Sequence, residues 1–144
     1  MITLAQYFAA KTHTAEQEAA AKDLLTRVDA LAIEALAAGR FSRPICPNTG
    51  SEISGSKGGS GDGGFRLQSA TTGSAKSSHK QGKGVDVYDP GDELDTWLDE
   101  FENGEGGNEV LQRHGLYREH PDSTPGWCHL STRAPGSGRR TFRP

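Results

Sequence analysis

The chain has 144 residues, a formal net charge of −3 and 33% hydrophobic residues, enough for one domain with a real core and too few for two. A near-balanced charge with a slight acidic excess argues against a nucleic-acid partner, which calls for a basic face. No run approaches the roughly 20 apolar residues of a membrane span, and Met1 to Phe8 lacks the basic leader and apolar core of a secretory signal. The expected protein starts in the cytosol or leaves it by another route.

The first 40 residues read as helical. A short helical turn is expected over residues 3 to 10. Thr14 then supplies an N-cap oxygen and Gln17 the reciprocal capping-box side chain. Leu24, Leu25, Val28, Leu31, Ile33 and Leu36 follow at helical spacing, alanine enrichment favours helix over strand, and Gly39 ends the pattern. This segment is expected to be scaffold.

Arg43 to Gly64 is long, irregular and rich in glycine, with Ile53 as a candidate short strand. The run does not match the phosphate-cradling G-x-x-x-x-G-K-[ST] pattern, and a loop beside a functional site is the better expectation. Phe65 to Leu67 reads as a brief extended segment, and Ala70 to Ser78 as a polar loop. Val85, Val87 and Tyr88 are β-formers that put Asp86 on a strand. Asp89 to Asp92 then reads as a turn and N-cap. Glu93 to Glu102 is a helix with Leu94, Trp97, Leu98 and Phe101 on one face, broken by Gly104, Gly106 and Gly107. Asn108 to His114 is a further short helix ended by Gly115. Leu116 to Glu119 and Trp127 to Leu130 read as two strands joined by a proline-rich turn, and residues 132–144 as an irregular, basic tail over the surface.

Two cysteines, Cys46 and Cys128, make no disulfide framework and no C-x-x-C pair. On a strand Cys128 points away from the face of His129, so both cysteines are read as small buried hydrophobes. His13, His114 and His120 are expected to be solvent-exposed, His120 lying nearest the site.

The chemistry concentrates in Ser77 to Asp86, S-S-H-K-Q-G-K-G-V-D, where His79 precedes Asp86 by seven positions. Imidazole and carboxylate both suit zinc, and a catalytic zinc takes three protein ligands with a fourth position open. His129, on a later strand, is the candidate third ligand. Gly82 and Gly84 let the backbone bend between the first two. The plainer reading of this spacing is a surface histidine and a strand-end aspartate.

The ten-residue run resembles the S-x-H-x-x-G-x-A-x-D motif of the zinc D-Ala-D-Ala peptidases of the lysostaphin, D-Ala-D-Ala metallopeptidase and hedgehog superfamily. Ser77, His79, Gly82 and Asp86 match, and Gly84 replaces the usual alanine. Trp127-Cys128-His129 is similar to the second motif, which ends in W-x-H, and Arg66 in G-F-R resembles the family's arginine upstream of the first motif. The resemblance covers roughly residues 50–131, and the N-terminal helix suits small phage-encoded members.

The resemblance implies zinc on His79, Asp86 and His129, Ser77 bracing the first-motif loop, and Arg66 and Trp127 facing the substrate. Arg66 would pair with a peptide carboxylate or polarise the scissile carbonyl; the alternative is an ion pair. Many members carry an acid three positions before the last histidine, where this chain has Gly126. The general base must then come from elsewhere. Glu119 is preferred, since antiparallel pairing of Tyr117–Glu119 with Trp127–His129 would put it on the face of His129; Asp122, in the connecting turn, is the alternative. The implied fold is α+β: a small antiparallel sheet carrying the zinc site, with the N-terminal helix and one or two more helices on its outer face. The implied organisation is one peptidase-like domain with a helical segment over 1–40, a catalytic core over 50–131 and the tail. The implied activity is hydrolysis of peptidoglycan stem peptides by a carboxypeptidase or endopeptidase. Such an enzyme would act as an endolysin released from the host cytoplasm by lysis or as a virion-associated wall-cutting protein. A non-catalytic tail or baseplate component, touching other phage virion proteins, is the alternative.

Overall fold

The computed structural model describes residues 1–48 and 62–144; the strand expected at Ile53 and most of the glycine run lie outside them. Two capped helices open the chain. In α1, Leu4–Phe8, Thr3 and Gln6 form a capping box, and in α2, Ala15–Ala37, Thr14 and Gln17 form the one the sequence announces. Each cap satisfies two N–H groups that a helix start leaves without partners. The buried stripe of α2 is Ala21, Leu24, Leu25, Val28, Leu31, Ala32 and Ala35. Ile33 and Leu36 were expected in that stripe, yet they are 59% and 48% exposed. Ile33 follows Leu31 by two residues, about 200° around a helix, and so faces outward.

After a 3-10 turn at Ser78–Gln81, the chain forms β1, Gly84–Tyr88, then α3, Glu93–Asp99, and α4, Glu109–His114. It continues through β2, Tyr117–Glu119, a second 3-10 turn at Pro121–Ser123, β3, Trp127–Ser131, and β4, Thr141–Phe142. The fold is α+β with a four-stranded sheet in the order β1-β3-β2-β4. The first three strands pair antiparallel, whereas β4 runs parallel to β2, with Arg118 opposite Thr141 and Glu119 opposite Phe142. The sheet is therefore mixed, and the tail expected to lie irregularly over the surface supplies its fourth strand. A two-residue strand has no alternation to read; backbone bonds hold it, Arg118 N to Arg140 O at 2.8 Å and His120 N to Phe142 O at 2.7 Å, and Arg118 Nε adds a bond to Thr141 Oγ1 at 3.0 Å.

One face of the sheet is apolar. Val85, Val87, Cys128 and Leu130 join Leu24, Leu31, Leu94, Leu98 and Leu111 in one continuous core. Arg118, also on that face, is fully buried and reaches Asp95, Asp99 and Glu102.

Smaller departures have local causes. The third helix stops at Asp99 instead of Glu102, because Glu102 bridges to Asn108. The expected turn and cap at its start is present: Asp92 holds the N-cap position in the left-handed region and accepts from Gly126 N, while the capping oxygens come from Asp89, which accepts from the N–H groups of Glu93 and Leu94 at 2.9 and 2.8 Å. Phe65 to Leu67 joins no strand of the sheet; Phe65 N donates to Tyr7 O and Arg66 N to His79 O. His13 stacks on Phe8 and contacts Glu18, and His114 is 14% exposed and bonded to Glu34, so neither is the free surface histidine expected.

Candidate metal centre

His79, Asp86 and His129 are all buried and offer donor atoms within 4.8 Å of one another. Each comes from a different local device. His79 sits in the 3-10 turn just before β1, where its Nδ1 lies 2.7 Å from Gly64 O. A carbonyl can only accept, so Nδ1 carries the proton and Nε2 presents a lone pair to the site. A Cβ on Gly64 would stand 2.3 Å from Tyr7 O, so only glycine lets the backbone come this close. Tyr7 also donates its hydroxyl to Gly84 O at 2.9 Å, which fixes the start of β1 from the N-terminal side.

Asp86 and His129 are cross-strand partners in the β1–β3 register. Side chains on directly opposite residues share a face, and the Asp86 Oδ1 to His129 Nδ1 distance is 2.7 Å. His79 Nε2 lies 3.2 Å from the same oxygen and 3.3 Å from His129 Nδ1. A tetrahedral ion with bonds of about 2.0–2.1 Å needs ligand atoms about 3.3–3.4 Å apart. Two of the three edges meet that spacing and the third is a hydrogen-bond contact. The donor set, two neutral-capable imidazoles and a carboxylate on one side of a common point, fits a divalent metal ion.

Burial alone would raise the Asp86 carboxyl, but the imidazoles of His79 and His129 outweigh it and hold the group well below the usual carboxylate range. Burial would lower His129, yet its hydrogen bond to Asp86, that carboxylate's charge and the charge of Glu119 raise it. Arg66 adds a further tie: its Nη2 donates to Asp86 Oδ2 at 3.1 Å and its Nε to Asp62 O at 2.8 Å.

The three donors open into a cleft of about 500 Å³. Its walls place the remaining expected residues. Arg66, Ser77, Trp127 and Glu119 all border it. Glu119 takes the position the pairing argument required: Tyr117 faces Ser131 and Arg118 faces Leu130, and one further step along the register sets Glu119 opposite His129. Asp86, His129 and Glu119 thus form a row across three strands.

Asp122 is not brought into the cleft. It lies on the second 3-10 turn, 69% exposed, paired with Arg143 at 3.0 Å. Gly126 has φ +86, a conformation that an acid at this position would strain against. Ser77 lines the cleft, but its hydroxyl has no hydrogen-bond partner among the described residues. The bracing expected of it falls instead to its neighbour.

That neighbour, Ser78, escapes a reading of the motif. Its Oγ lies 3.5 Å from His129 Nε2 and 2.2 Å from where a Cβ on Gly84 would stand. Glycine at position 84 is therefore more than a missing methyl, because the hydroxyl of Ser78 occupies the space a methyl would take. Ser131 and Arg133 also line the cleft; both continue the two-residue alternation from His129, a signal present in the sequence. Cys46 and Cys128 are buried and free, Cys128 on the face away from His129, as expected.

A scan against protein-family models found no match, and searches of curated proteins and of solved structures returned no significant relative. No helix among the described residues is long and apolar enough to cross a membrane.

Proposed function

We propose that the chain is a zinc-dependent hydrolase that cleaves peptide bonds in peptidoglycan stem peptides, as its resemblance to the D-Ala-D-Ala metallopeptidases implies. The observation that carries the reading is the convergence of His79 Nε2, His129 Nδ1 and Asp86 Oδ1 within 2.7–3.3 Å at the base of a cleft bordered by Glu119. Nitrogen and carboxylate donors with one side open to a cleft suit catalytic zinc. When bound, zinc supplies Lewis acidity: it polarises a carbonyl and makes a water molecule nucleophilic near neutral pH.

The chain's own residues supply the rest. Gly64 O and Ser78 Oγ orient the two imidazoles, and Arg66 holds the second oxygen of Asp86. Glu119, across the strand pair from His129, takes a proton from the attacking water at its carboxylate and returns it to the departing nitrogen. Trp127 and Ser77 border the space where the peptide lies. Geometry comes before acidity in assigning such a base, and Glu119 is the one carboxylate besides Asp86 that lines the cleft among the described residues.

The test is metal analysis of the purified protein together with mass analysis of muropeptides after incubation with it. Zinc at one equivalent, with release of shortened stem peptides by the wild type and at least 100-fold less by Glu119→Gln at unchanged zinc content, is the expected result (general base catalysis contributes roughly 10²–10⁴-fold). Full zinc with an intact wall would point to a non-catalytic part of a phage tail or baseplate. Absence of zinc would remove the reading altogether.

A further inference from the structure

Two arginines border the cleft, Arg66 and Arg133, and they differ in what they are free to do. The side chain of Arg66 is 11% exposed, with Nε on Asp62 O and Nη2 on Asp86 Oδ2. Turning it toward a ligand would leave the buried Asp86 oxygen without its cation, which costs more than an incoming carboxylate returns. Arg66 is a positioning residue for Asp86.

Arg133 is exposed and sits two residues beyond Ser131 at the end of β3, in step with His129. Its backbone is fixed, since Arg133 N donates to Ser131 Oγ at 2.9 Å and Ser131 is 1% exposed. Its guanidinium is not charge-paired: among the described residues its one hydrogen bond is Nη1 donating to Lys76 O, a neutral carbonyl, and it meets no carboxylate. Two other arginines of the tail are engaged elsewhere, Arg140 on Leu116 O and the Tyr117 ring, Arg143 on Asp122, and Arg139 does not border the cleft. The charges of Arg66 and Asp86 cancel, as do those of Arg133 and Glu119, so a bound divalent cation leaves the cleft positive. A positive cleft with an anchored arginine whose donors are mostly unused favours an anionic ligand.

We propose that Arg133 recognises a carboxylate of the substrate, so that the site selects peptides bearing a free carboxylate near the scissile bond over their amidated forms. The proposal rests on the hydrolase reading for the identity of the peptide, and it transfers to Arg133 the carboxylate recognition that sequence resemblance assigned to Arg66. A merely structural alternative is a latch, in which Arg133 ties the end of β3 to the loop carrying Lys76.

The experiment uses the zinc-loaded full chain as wild type, Arg133→Ala and Arg133→Lys. The probes are a synthetic stem pentapeptide and versions of it with each carboxylate amidated in turn. Calorimetry gives affinity and initial rates give kcat/KM. Wild type should lose on the order of 10- to 100-fold in affinity for one of the amidated peptides, as expected for one charge-assisted fork. Arg133→Ala should bind that peptide and its acid alike, and Arg133→Lys should keep part of the preference, having charge without the fork. If wild type binds all forms equally or binds none, or if Arg133→Ala keeps the preference, the proposal is wrong. A latch would weaken acid and amide by the same factor, which also overturns it. Selective binding without turnover would leave the proposal standing and remove only the hydrolase reading.

Discussion

Beneath the cleft lies a buried charge cluster that makes a sharp prediction. Arg118 is fully buried and shared among three carboxylates, Asp95, Asp99 and Glu102. Asp95 is 1% exposed; its Oδ1 accepts from Arg118 Nη1 at 2.9 Å, and its Oδ2 has no partner among the described residues. Burial pushes the Asp95 carboxyl up from 3.8 to about 6, against the lowering effect of Arg118. One cation divided among three acids cannot fully compensate the most buried of them. Since the folded-state value is raised, the stability Asp95 contributes is fully present below about pH 3.8 and is lost as pH rises through about 6. At 1.36 kcal/mol for each tenfold change in proton affinity, that gap corresponds to about 3 kcal/mol. Asparagine keeps an acceptor for Arg118 and cannot ionise. Urea unfolding of wild type and Asp95→Asn, with chelator present so that metal contributes to neither, should be run between about pH 4 and pH 8. The stability of wild type relative to the variant should fall by about 3 kcal/mol over that range. Parallel curves would mean that Asp95 is ionised in the folded protein as readily as in the unfolded chain, and the argument from burial would fail.

Two further outcomes are expected. Zinc at about 1,000 times its dissociation constant should stabilise the chain by about 4 kcal/mol, or ~8–16 °C in a thermal scan of a domain this size; His129→Ala should abolish that shift, and an unchanged shift would remove His129 as a ligand. Gly84→Ala should destabilise by about 1–3 kcal/mol, because its Cβ would stand 2.2 Å from Ser78 Oγ, and Gly84→Ala combined with Ser78→Ala should recover most of that loss in denaturant midpoint; equal costs for single and double variants would deny the link between the two positions.

Much of what the chain states locally, the structure repeats. Thr14 with Gln17, the Leu24, Leu25, Val28 and Leu31 stripe of α2, and the β-formers around Asp86 involve residues within a turn or a strand of one another, so their physics is readable in order along the sequence. The three candidate ligands were legible for a related reason: His79 and Asp86 share one short motif, and His129 occupies the strand position that alternation puts on the opposite side from the apolar Cys128. Even Glu119 could be argued, because its place follows from pairing two adjacent strands.

Other features depend on contacts between distant segments, and no local pattern encodes those. Arg66 is committed to Asp86 because β1 and the Asp62 loop meet, and that commitment leaves Arg133 as the cleft's unpaired cation among the described residues. The tail becomes a strand because the backbone of β2 bonds to Arg140 O and Phe142 O, with buried Arg118 adding a donor to Thr141. Asp122 faces away because the turn after β2 carries it outward, and Gly126 has its backbone at a positive φ that would strain an acid there. Periodicity and capping act over a few residues and are written in the sequence itself. The pairing of a buried charge is settled only when the packed chain decides which partners remain within reach.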